Sequence, residues 1–224
     1  MRCLAAGLIL TAAACTGETA GKSVTTSSTV PETKATTTST ASKALTPVRI
    51  RLRIDRRVAD PATEGFRAAV EATLTDPRGW EQAGFAFSFG DDAAFTIVLA
   101  EGDAVGELCR PYDVGGRFSC QIGPVVALNA ARWREATPQW PAGRDPYRQM
   151  LINHEVGHLL GQHHPTHQCP APGEKAPVMA QQSTELGACL PNPWPLPWEI
   201  ACAAQHTEPL APGYAAHPAP ACGP

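Results

Sequence analysis

Residues 154–164 read His-Glu-Val-Gly-His-Leu-Leu-Gly-Gln-His-His, a string that dictates local geometry whatever surrounds it. On a helix, His154 and His158 stand four residues apart and project from one face, so two imidazoles can grip one ion. Gly161 lets the backbone leave the helix through a conformation that other residues resist. The turn then carries His164 round as a third nitrogen. Three protein ligands and one open position describe a catalytic zinc site, Zn2+ being the expected cofactor; a structural site would be closed by four. Glu155, beside the first ligand, is placed to take a proton from an attacking water. Two plainer readings compete: a helix whose histidines are merely surface or core residues, and a zinc site kept for structure alone. His163 falls one residue short of the third-ligand spacing, His167 lies beyond it, and His206 and His217 read as surface residues.

Fifteen residues after His164 stands Met179, in Ala-Pro-Val-Met-Ala-Gln-Gln (176–182). The long zinc motif followed by this methionine resembles the metzincin metallopeptidases, whose second mark is a methionine-containing turn beneath the metal. The resemblance implies Met179 as that Met-turn residue, an apolar floor and not a ligand; an ordinary core methionine is the rival reading. Asp-Pro-Arg-Gly-Trp (76–80), Asn-His-Glu-Val-Gly-His (153–158), the 176–182 string and Pro-Asn-Pro-Trp-Pro (191–195) are similar to a family of secreted actinobacterial proteins of unassigned function. That family is itself metzincin-like, and the similarity covers most of residues 47–200. Two departures from better-known metzincins stand out. No Tyr follows Met179 closely, and Pro165 follows His164 where several groups carry an acidic or small polar residue, which leaves the oxyanion stabiliser unassigned.

Hydrophobic periodicity outlines the elements around the motif. Val48–Ile54 alternates apolar and basic with period two, the mark of a strand with one buried face and a solvated arginine face. Residues 62–74 show helical spacing through Phe66, Ala69, Val70 and Leu74, ending before Pro77. Residues 85–89, 95–100, 117–121 and 125–129 read as further strands. Asp145 and Pro146 are expected to open the zinc helix as N-cap and first helical residue, with a short helix near 198–205. Trp194 and Trp198 could wall the cleft or pack in the core. The resemblance implies an α+β, zincin/metzincin-like fold: a twisted mixed β-sheet with a backing helix and an active-site helix, then a small loop-rich, disulfide-braced C-terminal subdomain. By the same resemblance the 117–121 strand is the cleft-lining edge, open to an extended peptide through main-chain bonds.

The rest of the chain speaks to compartment. Arg2 and an apolar stretch from Leu4 to Ala14 make residues 1–14 a signal peptide, too short to span a bilayer. Ala-Ala-Ala-Cys (12–15) resembles a bacterial lipobox, which would make Cys15 a lipid-modified residue; ordinary cleavage nearby is the alternative. Residues 16–46 hold 16 Ser or Thr and no aromatic, too little apolar surface to offset ordering entropy, so 15–46 reads as a disordered tether and 47–224 as the catalytic domain. Cys109, Cys120, Cys169, Cys189, Cys202 and Cys222 are an even set that suits disulfides in an exported domain. Pairing of neighbours is expected: 109 with 120, 169 with 189, 202 with 222. A net charge of −3 without a basic run argues against nucleic acid as a partner.

The expected function is a secreted or lipid-anchored zinc endopeptidase of a bacterium. It works as a monomer on a peptide or protein substrate, with Glu155 as general base, and meets the membrane only through an N-terminal lipid. The alternatives are a non-hydrolytic zinc-stabilised surface binding module and a hydrolase of cell-wall amides.

Overall fold

The computed structural model describes residues 46–205. The expected signal segment, Cys15 and the tether up to residue 45, together with His206, His217 and Cys222, lie outside them.

Val48–Arg56 forms strand β1, and its alternation survives folding: Ile50, Leu52 and Ile54 are buried while Arg49, Arg51 and Arg53 face solvent. It runs parallel to β2 (Phe85–Phe89) on one side and to β3 (Phe95–Ala100) on the other. β3 reads as a nearly continuous apolar run because it is central, and its residues Ile97 to Ala100 are all buried. The last two strands are β4 (Cys120–Ile122) and β5 (Val125–Asn129). β5 pairs parallel with β3, and β4 turns back antiparallel on β5, giving a five-stranded mixed sheet in the order β2-β1-β3-β5-β4. The sheet therefore ends in one short antiparallel edge strand.

The main core lies between the sheet and two helices. Helix α1 (Phe66–Leu74) buries Phe66, Val70 and Leu74, a stripe four residues apart. A 3-10 turn at Pro61–Thr63, capped by the Asp60 side chain, precedes it, so the expected helix starts four residues late. A smaller apolar cluster on Val98, Ala100 and Ala127 is covered by helix α2 (Gly102–Leu108) through Val105. Neither α2 nor α3 (Ala130–Glu135) was expected from periodicity, because each is under two turns long and buries few residues.

Two expectations need correction. The strand placed at 117–121 spans only 120–122, since residues 113–118 are spent on a turn region whose Gly116 carbonyl accepts from Asn129 Nδ2 at 2.9 Å. The long helix α4 (Arg144–Leu159) is capped by Gly143 and not by Asp145. Gly143 holds φ at 84° and its carbonyl accepts from Trp140 Nε1. Asp145 instead sits in the first turn and pairs with Arg148 at 3.1 Å.

Beyond α4 the chain is mostly irregular until helix α5 (Pro197–Ala203). Disulfides Cys109–Cys120 and Cys169–Cys189 join the expected neighbours. The first ties the end of α2 to β4; the second braces the loop between α4 and α5. Cys202 is disulfide-bonded, and its expected partner Cys222 lies outside the described residues. Such bonds persist in oxidising compartments and point to an extracytoplasmic protein. No described helix is long and apolar enough to cross a membrane.

Candidate metal centre

The last two turns of α4 carry His154 and His158, and a glycine-closed turn then reverses the chain. Gly161 takes φ 81°, its N–H donates to the His158 carbonyl, and the Gln162 N–H donates to the Gly157 carbonyl, both at 2.9 Å. That pair of bonds satisfies the last carbonyls of the helix, and a Cβ at this φ would be strained. The reversal brings His164 Nε2 to 3.1 Å from His158 Nε2 and 3.2 Å from His154 Nε2.

The outward ring nitrogens are fixed as well. His154 Nδ1 donates to the Val178 carbonyl at 2.9 Å, and His158 Nδ1 donates to the Gln162 carbonyl at 2.8 Å. A carbonyl can only accept, so both protons sit on Nδ1 and both Nε2 atoms turn lone pairs inward. Such a donor set suits a cation. A tetrahedral zinc with nitrogens at about 2.0–2.1 Å sets its ligand atoms about 3.3 Å apart, close to the spacing found. Among the described residues, His154, His158 and His164 are the group able to hold a metal ion; His163 and His167 stand outside it.

Burial, then the neighbouring His158 and His164, holds His154 well below the ordinary imidazole range. Burial and His164 bring His158 down to about 4, and His164 is lowered mainly by burial. All three are thus kept neutral, as metal ligation requires. Glu155, 6 % exposed, shares the cleft wall with them, and burial pushes it up to about 8.

These shifts predict a pH dependence. His158 has a folded value of about 4 against an ordinary 6.5, so the stability from keeping it neutral is complete above pH 6.5 and lost as pH falls toward 4. Glu155 acts oppositely: with a folded value of about 8 against 4.5, its contribution is complete below pH 4.5 and lost as pH rises through 8. Above pH 6.5 the metal-free protein therefore weakens, while a divalent cation favours the ionised carboxylate and offsets that loss. Thermal unfolding with and without zinc should diverge as pH rises from 6.5 to 8; a constant gap across that window contradicts the assignment.

Met179 is 2 % exposed and packs directly on α4 between the two helical histidines. A Cβ built at Gly157 would be driven into the Met179 sulfur and to 2.9 Å from the Trp80 ring. Gly157→Ala should consequently cost about 1–3 kcal/mol by overpacking, read by denaturant unfolding; an unchanged midpoint would show that the floor yields freely.

The histidines open onto a cleft of about 480 Å3. It is lined by edge strand β4 with Ser119, by loop 181–184, and by Tyr147, Met150 and Leu151 of α4. Tyr147 Oη and Ser183 Oγ share a hydrogen bond of 2.8 Å, which ties α4 to that loop. Tyr112 and Phe118, both exposed, form an apolar rim. Trp194 does not line the cleft; its ring lies under Arg78 with 4.2 Å between guanidinium carbon and ring centre. Trp198 is also absent from the lining.

With the geometry in view, comparison with known proteins adds a family. The family described as "Protein of unknown function (DUF3152)" matches residues 14–190. The chain belongs to this family. No curated protein matches the chain. The matched span takes in all three histidines, Glu155 and Met179 but stops short of α5. Since the family description assigns no activity, chemistry has to be read from the site.

Three parts of the site were not foreseen: the Val178 and Gln162 carbonyls that orient the rings, Gly157 under Met179, and Glu199. Glu199 is 1 % exposed. Its carboxylate accepts from the backbone N–H groups of Val178 at 3.0 Å, Met179 at 2.9 Å and Leu196 at 2.7 Å. A charged residue amid the apolar 196–200 stretch was the available signal, and it gives no hint of the distant partner.

Proposed function

We propose that this chain is a zinc-dependent endopeptidase of the metzincin type, acting outside the cytoplasm. One observation carries the reading: a buried carboxylate, Glu155, stands beside three converging imidazole nitrogens in the wall of an open cleft. An ion held only for structure or binding gains nothing from a base in that place.

His154, His158 and His164 would hold the ion. When bound, it supplies a Lewis acid that polarises a carbonyl and eases the ionisation of water. The chain's own side chains supply the rest. Glu155 accepts the proton of the attacking water on a carboxylate oxygen and then delivers it to the leaving amine. The burial that raises its pKa lets it hold that proton in between. The Val178 and Gln162 carbonyls hold two imidazoles in the Nδ1–H tautomer and correctly turned, while burial keeps those rings neutral. Among the described residues β4 has no strand partner on one side, and it lines the cleft, so an extended peptide can pair there through main-chain hydrogen bonds.

In this proposal residues 1–14 direct export, Cys15 carries a lipid, 15–46 tether the domain and 47–224 form a monomeric catalytic unit of the zincin type at a bacterial cell envelope. The disulfides and the sequence resemblance support that placement.

The test is a digest of a proteome-derived peptide mixture by the zinc-loaded protein beside its Glu155→Gln variant, read by mass spectrometry. Cleavages that require Glu155 are expected. Identical peptide patterns from both proteins, with zinc bound in each, would reject the peptidase reading and favour a surface binding module or a hydrolase of cell-wall amides.

A further inference from the structure

We infer that Glu199 is a positioning residue of the metal centre: its buried carboxylate holds the 177–180 turn, and through that turn it fixes the His154 ring. The inference rests on the metal-site reading above. It follows an unbroken chain of contacts. Glu199 Oε2 accepts from Val178 N–H at 3.0 Å and Glu199 Oε1 accepts from Met179 N–H at 2.9 Å. The Val178 carbonyl accepts from His154 Nδ1 at 2.9 Å, and the Met179 side chain packs on Gly157. One carboxylate therefore governs both the tautomer-setting acceptor of the first ligand and the apolar floor under the site.

The chemistry of Glu199 fits that work better than simple packing. Both oxygens only accept, and three N–H donors converge on them, the third from Leu196 at the start of α5. No basic side chain pairs with this carboxylate among the described residues, and burial pushes it up to about 7 against the pull of the three N–H groups. A buried anion without a cationic side chain is costly, whereas a cation held by three neutral imidazoles one hydrogen-bonded peptide away supplies compensating charge. Within the turn, Ala180 N–H donates to the Pro177 carbonyl at 3.0 Å and Gln182 N–H donates to the Ala180 carbonyl at 2.7 Å, while Gln182 Nε2 donates to the Pro177 carbonyl at 3.0 Å; the Val178 and Met179 N–H groups are left to Glu199. Glu199 lies beyond the residues matched by the family, so α5 completes the centre from outside that span.

Glu199→Gln is the test. The amide keeps the shape but turns an NH2 toward backbone N–H donors, so at least one of the three bonds is lost. Losing a partner that orients a metal ligand typically weakens metal binding 10–100-fold. Zinc affinity by chelator competition and the absorption spectrum of the Co2+-loaded protein are the readouts. Val105→Ala, buried against the other face of the sheet, controls for general destabilisation. The expected result is at least roughly 10-fold weaker zinc binding and a changed Co2+ spectrum in Glu199→Gln, with both unchanged in Val105→Ala. Wild-type affinity and spectrum in Glu199→Gln would overturn the role while leaving the metal site intact. A wild-type protein that binds no metal would overturn both. If Glu199→Gln does not fold, hydrogen exchange in the wild type decides. Metal removal should unprotect the Val178 and Met179 amides more than the β5 amides, and equal changes in the two sets would reject the coupling.

Discussion

His158→Ala binds zinc roughly 100-fold more weakly than the wild type. The substitution removes one of three inward-facing nitrogens and also leaves the Gln162 carbonyl without the donor that now meets it at 2.8 Å. Structural zinc sites bind with about 10–16 kcal/mol over four ligands, so one ligand is worth about 3 kcal/mol, or roughly 100-fold in affinity. Bulk stoichiometry alone would miss such a change at high protein concentration, so competition against a chelator of known affinity is the right measurement. Wild-type affinity in His158→Ala would remove it from the ligand set. The neighbouring His163, whose ring is not among the three that converge, provides the contrast: His163→Ala should keep its zinc.

Glu155→Gln separates chemistry from binding. The glutamine fills the same buried space and its carboxylate predecessor is not among the converging nitrogens, so zinc should stay bound. A glutamine side chain cannot accept and return a proton at neutral pH. Loss of a positioned general base costs about 10²–10⁴-fold in turnover, and the expected outcome is peptide hydrolysis reduced by that factor with the zinc content unchanged. Retained turnover would mean that another group moves the proton, and the proposed role of Glu155 would fall.

The sequence made some of this architecture legible for clear physical reasons. Periodicity located β1, β2, β3 and β5 because each strand either alternates against one core or is buried on both faces. Spacing located the three histidines because four residues along a helix, a glycine and a short loop are local geometry. Asp-Pro is a good local start signal for α4, yet Gly143 turns the chain one residue before the helix begins. The bounds of β4 escape a local reading because its pairing is set opposite Val125–Ala127 and by the bond to Cys109, neither of which is a local property. The supporting contacts around the histidines were invisible for the same reason. Val178 lies 24 residues from His154, and Glu199 lies 21 residues from Val178. Only the folded chain brings them together.

The most direct test of the central claim is X-ray absorption at the zinc edge on the zinc-loaded protein, repeated for His164→Ala. The account predicts one ion per chain with three imidazole nitrogens and no fourth protein ligand, falling to two imidazoles or to no bound ion in the variant. An ion closed by four protein ligands, or an imidazole count unchanged in His164→Ala, would contradict it.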